Sequence, residues 1–143
     1  MADKKFRLKI VTPMKTVVDK DVTMVIMESV DGQLGVLANH EPLATVLANS
    51  TLRYYDAEKI EYMSLFGGFA EINQNELIIL ADIAECPSEI DAERARRAEE
   101  RARRRLDEAK ADVDEMRAKV ALRKALVRLE LSGQALTTEK TKP

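Results

Sequence analysis

Cysteine occurs once in the 143 residues, tryptophan not at all, and aromatic residues make up only 4%. The lone Cys86 excludes an internal disulfide, so nothing in the chain asks for an oxidising compartment. Long apolar runs are also missing, and none approaches the roughly 20 residues that a membrane-spanning helix needs. The first residues, MADKKFRLKI, lack the apolar core of a secretory signal. These absences lead us to expect a soluble, intracellular protein. What is present is a 45% hydrophobic content, enough for a core in one domain or in a small domain with an appendage.

Glycine and proline are scarce and unevenly placed. Four of the 5 glycines and three of the 4 prolines lie before residue 89. Charge divides at the same point: the net −2 is the sum of −5 over residues 1–88 and +3 over residues 89–143. The expected organisation is therefore a first unit at 1–87, a second at 88–133 and a flexible tail at 134–143.

The first unit alternates apolar and polar residues with period two, as strands do. FRLKIV (6–11), VTMVIMES (22–29), STLRYY (50–55), KIEYMSLF (59–66), FAEI (69–72) and ELIILADIAE (76–85) read as strands. Turn residues separate them at Pro13, Asp31-Gly32, Asp56-Ala57, Gly67-Gly68 and Asn73-Gln74-Asn75. This spacing predicts an antiparallel sandwich or flattened barrel. The segment DGQLGVLANHEPLATVL (31–47) reads as a conspicuous loop holding the single histidine. His40 has no nucleophile or metal-ligand companions in sequence, and a loop histidine bonded to backbone is the simpler expectation. No nucleophile elbow, phosphate loop, zinc spacing or paired-carboxylate motif occurs, so no enzyme chemistry is indicated.

The second unit has neither Gly nor Pro from Ser88 to Ser132 and is rich in Ala, Arg, Glu, Leu and Lys, a strongly helical composition. Ser88 is the expected N-cap, with Asp91 three residues on, and Gly133 the expected C-terminal stop. A second capping pattern, Asp112 with Glu115, breaks the segment into a two-helix hairpin, although nothing forbids one continuous rod. Ala95, Ala98, Ala102, Leu106, Ala109 and Val113 form one stripe. On the second arm Val113, Met116, Val120, Val127 and Leu131 form another, and Leu122, Leu126 and Leu129 a third. Arg94, Arg101 and Arg105 flank the first stripe, as Arg117, Lys124 and Arg128 flank the second. Arg96, Arg103 and Arg104 are expected to be solvated and paired with Glu93, Glu99 and Glu100. Interleaved acids, a pI near 5.6 and the lack of aromatics in this unit argue against nucleic-acid binding. The predicted class is α+β: an N-terminal antiparallel β-sandwich, then a C-terminal two-helix hairpin able to extend.

Three ordered motifs carry a family resemblance. DGQLGVLANHEPL resembles a G-x-L-G-[IV]-L-P-G-H-x-P-L turn, LFGGFAEI an S-G-G-F-x-E-V hairpin, and IDAERARRA an I/L-D-x-x-R-A motif. Together they resemble the epsilon subunit of bacterial F-type ATP synthase over essentially the whole chain. Ala38-Asn39 replaces the usual Pro-Gly, and Phe66 replaces a small residue before the glycine pair.

The resemblance implies a non-catalytic rotor subunit of a proton-translocating synthase, peripheral on the cytoplasmic face of the bacterial plasma membrane. Its implied partners are the gamma subunit, the polar loops of the c-ring and the alpha/beta hexamer. No cofactor is implied as required, and no metal. The resemblance also implies a regulatory ATP site on the compact hairpin, formed by Glu85, Ile90, Asp91, Arg94, Arg101, Lys124 and Arg128. Lys124 stands where nucleotide-binding members have arginine, and it lacks the planar two-point grip of guanidinium. The competing expectation is a free-standing sandwich-hairpin module that binds a peptide or nucleotide.

Overall fold

The computed structural model describes residues 4–57 and 59–140, with side chains up to residue 133. Contacts divide the chain into two compact units between Glu85 and Cys86.

Eight strands build the first unit: β1 (Phe6–Val11), β2 (Thr16–Val22), β3 (Met24–Ser29), β4 (Gly32–Leu37), β5 (Leu43–Leu47), β6 (Ser50–Asp56), β7 (Lys59–Asn73) and β8 (Glu76–Glu85). They are ordered β2-β1-β8-β7-β5-β3-β4, with β6 pairing β3 and β7. Every pairing is antiparallel except one. β1 runs parallel to β8, with Leu8 opposite Leu77 and Ile10 opposite Ile79. Alternation does the core-building: Phe6, Leu8 and Ile10 of β1 are buried, as are Leu52 and Tyr54 of β6 and Leu77 and Ile79 of β8.

Gly67-Gly68 does not form the expected turn. It lies inside the 15-residue strand β7. Through Leu65 this strand pairs with β6, and from Gly68 onward it pairs with β5, so it serves both layers of the sandwich. The changeover needs Gly67 in the left-handed region, at φ +66°. Its N–H donates to Asn49 Oδ1 at 2.9 Å, in the two-residue link between β5 and β6. Gly68 is tight for a different reason, since a Cβ there would lie 3.2 Å from Leu47 Cβ. Phe66, beside the pair, is buried in the first unit rather than presented to a neighbour.

The expected loop at 31–47 holds β4 and β5, and β2 went unanticipated. The strand expected from Val22 begins at Met24, because Val22 closes β2 and is buried there. Gln74 and Asn75 both have positive φ in the β7–β8 hairpin, as a type I′ turn requires. Asn75 also ties three segments together. Its Oδ1 accepts from the Asn39 N–H at 2.8 Å, its Nδ2 donates to the Lys5 carbonyl at 2.9 Å, and its own carbonyl accepts from the Arg7 N–H.

The second unit opens with a 3₁₀ turn at Pro87–Glu89, then α1 (Ala92–Glu108) and α2 (Asp112–Lys140). Ser88 is not the N-cap of α1, because the proline-led turn occupies that stretch. Asp91 takes the role, and its carboxylate accepts from the Arg94 N–H at 3.1 Å. The cap of α2 likewise falls on Ala111, whose carbonyl accepts from the Glu115 N–H at 3.0 Å. Gly133 does not stop the chain. α2 continues to Lys140, since Gly133 has no positive φ and QALTTEK contains good helix formers. Residues 141–143 of the expected tail lie outside the described residues.

Alanines line the seam: Ala95 and Ala102 of α1, and Ala118 and Ala125 of α2, are all buried. The valine stripe of α2 divides along its length. Val127 and Leu131 are buried, whereas Val113, Met116 and Val120 are 61%, 63% and 40% exposed. No helix among the described residues is long and apolar enough to cross a membrane.

Candidate functional site

Six of the seven residues in the implied nucleotide set belong to the helical unit, and Glu85 closes the sandwich unit. Glu85 ends β8, where its Oε1 accepts from Ser64 Oγ at 3.3 Å. Ile90 and Asp91 form the entry to α1. Ile90 immediately precedes the cap, and buried Ala95 is the fourth helical residue, the relation of a hydrophobic staple. The I-D-x-x-R-A pattern is thus also a helix-start motif, which accounts for its Ile, Asp and Ala but not for the guanidinium of Arg94.

Arg94 and Arg101 stand two turns apart on one face of α1, both exposed. Lys124 and Arg128 stand one turn apart on α2, both half-buried. The structure therefore groups the cations in pairs on each helix. Neither of two cavities on this unit joins the α1 pair to the α2 pair. One is an open groove of about 640 Å³ along the first turns of α2, lined by Val113, Met116, Arg117, Val120 and Lys124 among others. The second, about 330 Å³, lies at the hairpin turn between Arg105, Glu108, Asp114 and Arg117.

Charge pairing on α1 follows the helix face. Arg96 pairs with Glu93 and Arg103 with Glu99, as expected. Arg104 does not pair with Glu100. Among the described residues Arg94, Arg97, Arg101, Arg104 and Arg105 make no ion pair.

Two features of the sandwich bear on function. His40 lies in the loop before β5, where its Nδ1 donates to the Glu41 carbonyl at 2.7 Å. The ring is thereby tied to backbone. The outer face carries a cross-strand apolar row that sequence reasoning missed. Val46 of β5 is opposite Phe69 of β7, which is opposite Leu80 of β8. They are 52%, 41% and 52% exposed, and Val30, bonded through its N–H to the Val46 carbonyl, adds a fourth. The available signal was period-two apolar residues on the side of each strand opposite the core. Elsewhere on the surface, Arg7 bonds Asp19 at 2.7 Å and holds that carboxyl below its ordinary range, while the guanidinium is pushed up.

Two family descriptions cover residues 5–133 between them. The delta/epsilon-chain beta-sandwich domain of ATP synthase matches residues 5–87, and the long alpha-helix domain of the same chain matches residues 88–133. The chain belongs to the epsilon subunits of F-type ATP synthases. As such it is a non-catalytic subunit. Curated relatives include the sodium-ion-specific ATP synthase epsilon chain of Propionigenium modestum, 39% identical over 90% of this chain and 94% of the relative. The epsilon chain of Desulforamulus reducens is 40% identical over 87% and 94%. Among solved structures, a chain of the Euglena gracilis mitochondrial ATP synthase (OSCP/F1/c-ring, rotational state 1) aligns with TM-score 0.79. It is 25% identical, over 95% of this chain and 84% of that one. A chain from the central stalk/c-ring of the Tetrahymena thermophila mitochondrial enzyme shares the fold, with TM-score 0.66, 15% identity, and 94% and 98% coverage.

Proposed function

We propose that this subunit works in the rotor, coupling ion-driven rotation of a membrane ring and its gamma shaft to the catalytic head, and that its helices restrain ATP hydrolysis. The observation that carries the coupling role is the exposed row Val30, Val46, Phe69 and Leu80. An apolar strip crossing three strands on an outer face is what a protein partner covers. The neighbouring Euglena and Tetrahymena chains come from stalk and c-ring assemblies, which favours gamma and the ring loops as that partner. One relative is named sodium-specific, so the coupling ion stays general in this proposal rather than being assigned to protons. The working location is the cytoplasmic face of the bacterial plasma membrane, held there through the complex.

Restraint of hydrolysis belongs to the helices and would act on the alpha/beta hexamer. The alanine seam between α1 and α2 buries small side chains, and at about 25 cal/mol per Å² it favours the hairpin only modestly. A ligand held only by the hairpin adds about 2.7 kcal/mol at a hundredfold excess over its dissociation constant. ATP is the ligand we propose, gripped on this unit by Arg94, Arg101, Lys124 and Arg128, with Ile90 and Asp91 shaping the entrance.

Titration of the isolated chain with ATP, with and without Mg²⁺, tests the ligand. Micromolar to low-millimolar binding that is lost in Arg94→Ala is expected. Silence up to cellular ATP concentrations would remove ATP and leave any restraint to rotation and the hexamer. Co-purification with a rotary ATPase tests the coupling role separately, and a chain that never co-purifies would instead be the free-standing module.

A further inference from the structure

Helix α1 contains seven of the chain's twelve arginines and none of its eleven lysines. Arg and Lys have nearly equal helix propensity, so helix formation does not account for this choice. The two residues differ in anion recognition: guanidinium makes planar, two-point contacts with phosphate, which ammonium cannot.

The seven sort by face. At about 100° per residue, Arg94, Arg97, Arg101, Arg104 and Arg105 fall within an arc of about 100°, and Arg96 and Arg103 lie on the opposite side. Those two opposite residues are the ones in ion pairs, with Glu93 and Glu99. All five of the arc are exposed and make no ion pair among the described residues. Within the arc, 94/97, 97/101, 101/104 and 101/105 are i,i+3 or i,i+4 neighbours, so like charges face each other at every turn and oppose helix formation. The arc spans twelve residues, about 16 Å along the axis. It ends at the hairpin-turn cavity, where Arg105 is joined by Arg117, with Glu108 and Asp114 also in the wall.

We propose that this face binds a linear chain of phosphates, with inorganic polyphosphate as the occupant. The length of the arc exceeds what a single phosphate group contacts. Between Arg94 and Arg105 the arc holds no apolar residue, with Ala98 only at its edge, so it offers a folded partner no apolar anchor. An acidic peptide would bring carboxylates instead of phosphates, and the comparison with poly-glutamate separates the two. Single-stranded nucleic acid would need aromatic platforms, and neither helix has an aromatic residue. A flexible polyanion held entirely by charge and guanidinium geometry fits what is left. The assignment does not depend on the ATP site, although Arg94 and Arg101 belong to both sets.

The full-length chain titrated with inorganic polyphosphate, against poly-glutamate of matched charge, tests it. Polyphosphate should bind roughly tenfold or more tightly than poly-glutamate, with affinity falling as salt rises. Arg97→Ala with Arg104→Ala should weaken polyphosphate roughly tenfold, and Arg96→Ala with Arg103→Ala less than about twofold. The charge-preserving pair Arg97→Lys with Arg104→Lys should also lose several-fold affinity, and circular dichroism of each variant reports whether α1 is intact. No binding, equal losses from the two alanine pairs, equal affinity for poly-glutamate, or full affinity in the lysine pair would each overturn the assignment.

Discussion

Gly67 shows how one residue sets a fold's corner. It must reach φ +66° for β7 to leave β6 and join β5, and a Cβ there would run into the Asp82 carboxylate. Gly67→Ala is therefore expected to destabilise the sandwich by about 1–3 kcal/mol, read by chemical denaturation. A loss within a few tenths would mean that the corner relaxes by another route. Asp91 poses a sharper question, because it caps α1 and is also counted in the implied nucleotide set. Asp91→Ala should cost the helical unit about 1 kcal/mol through the cap alone. Asp91→Asn keeps a cap of equal quality and removes only the charge, so its stability should match the parent. ATP affinity measured in the asparagine variant then isolates any ligand role from the structural one. Asn39 belongs to the same scale. It holds φ 65° where the family pattern has glycine, and asparagine is among the few residues that tolerate that region, so the departure leaves the turn intact.

At the scale of elements, Gly133 separates two accounts of the C-terminus. A C-terminal stop would put it in the left-handed region, where alanine is strained, whereas it sits within α2 with open space around a Cβ. Gly133→Ala should accordingly raise helicity and stability by about 0.5–1 kcal/mol, measured by circular dichroism during denaturation. A decrease would restore the stop. The same contrast explains what the sequence disclosed. β1, β6 and β8 bury one face on a regular alternation, so their period is plain. β4 buries only Val36 and β5 only Leu47, which left them reading as loop. The Gly pair suggested a turn because local signals cannot show that a strand bends between two layers. On the helices, composition and the break near residue 111 were legible. Two arginine pairings, Arg96 with Glu93 and Arg103 with Glu99, were legible from spacing, but the third expected pair, Arg104 with Glu100, does not form. The proposed nucleotide set was named from the motif alone; that Asp91, rather than Ser88, caps α1 appeared only with geometry.

For the whole molecule, the outer apolar row is where fold and assembly meet. Register forces Val46, Phe69 and Leu80 to the same face, and the layer change at Gly67 places Phe69 outward while Ala70 and Ile72 stay in the core. Placing a charge at Phe69 should therefore leave the first unit folded, since the side chain is 41% exposed and the core neighbours are unchanged. It should strongly weaken capture by the stalk, because a buried unpaired charge at an interface centre typically costs several kcal/mol. Phe69→Glu in the full chain, assayed by assembly with gamma and the ring, is expected to lose at least tenfold in affinity with an unchanged denaturation midpoint. Glu71→Lys, two residues along on the same face, provides the control, since its effect should be smaller if the apolar row is the centre of the contact. If Phe69→Glu assembles normally, the sandwich must engage the rotor through another surface, and the exposed row would have to be reassigned.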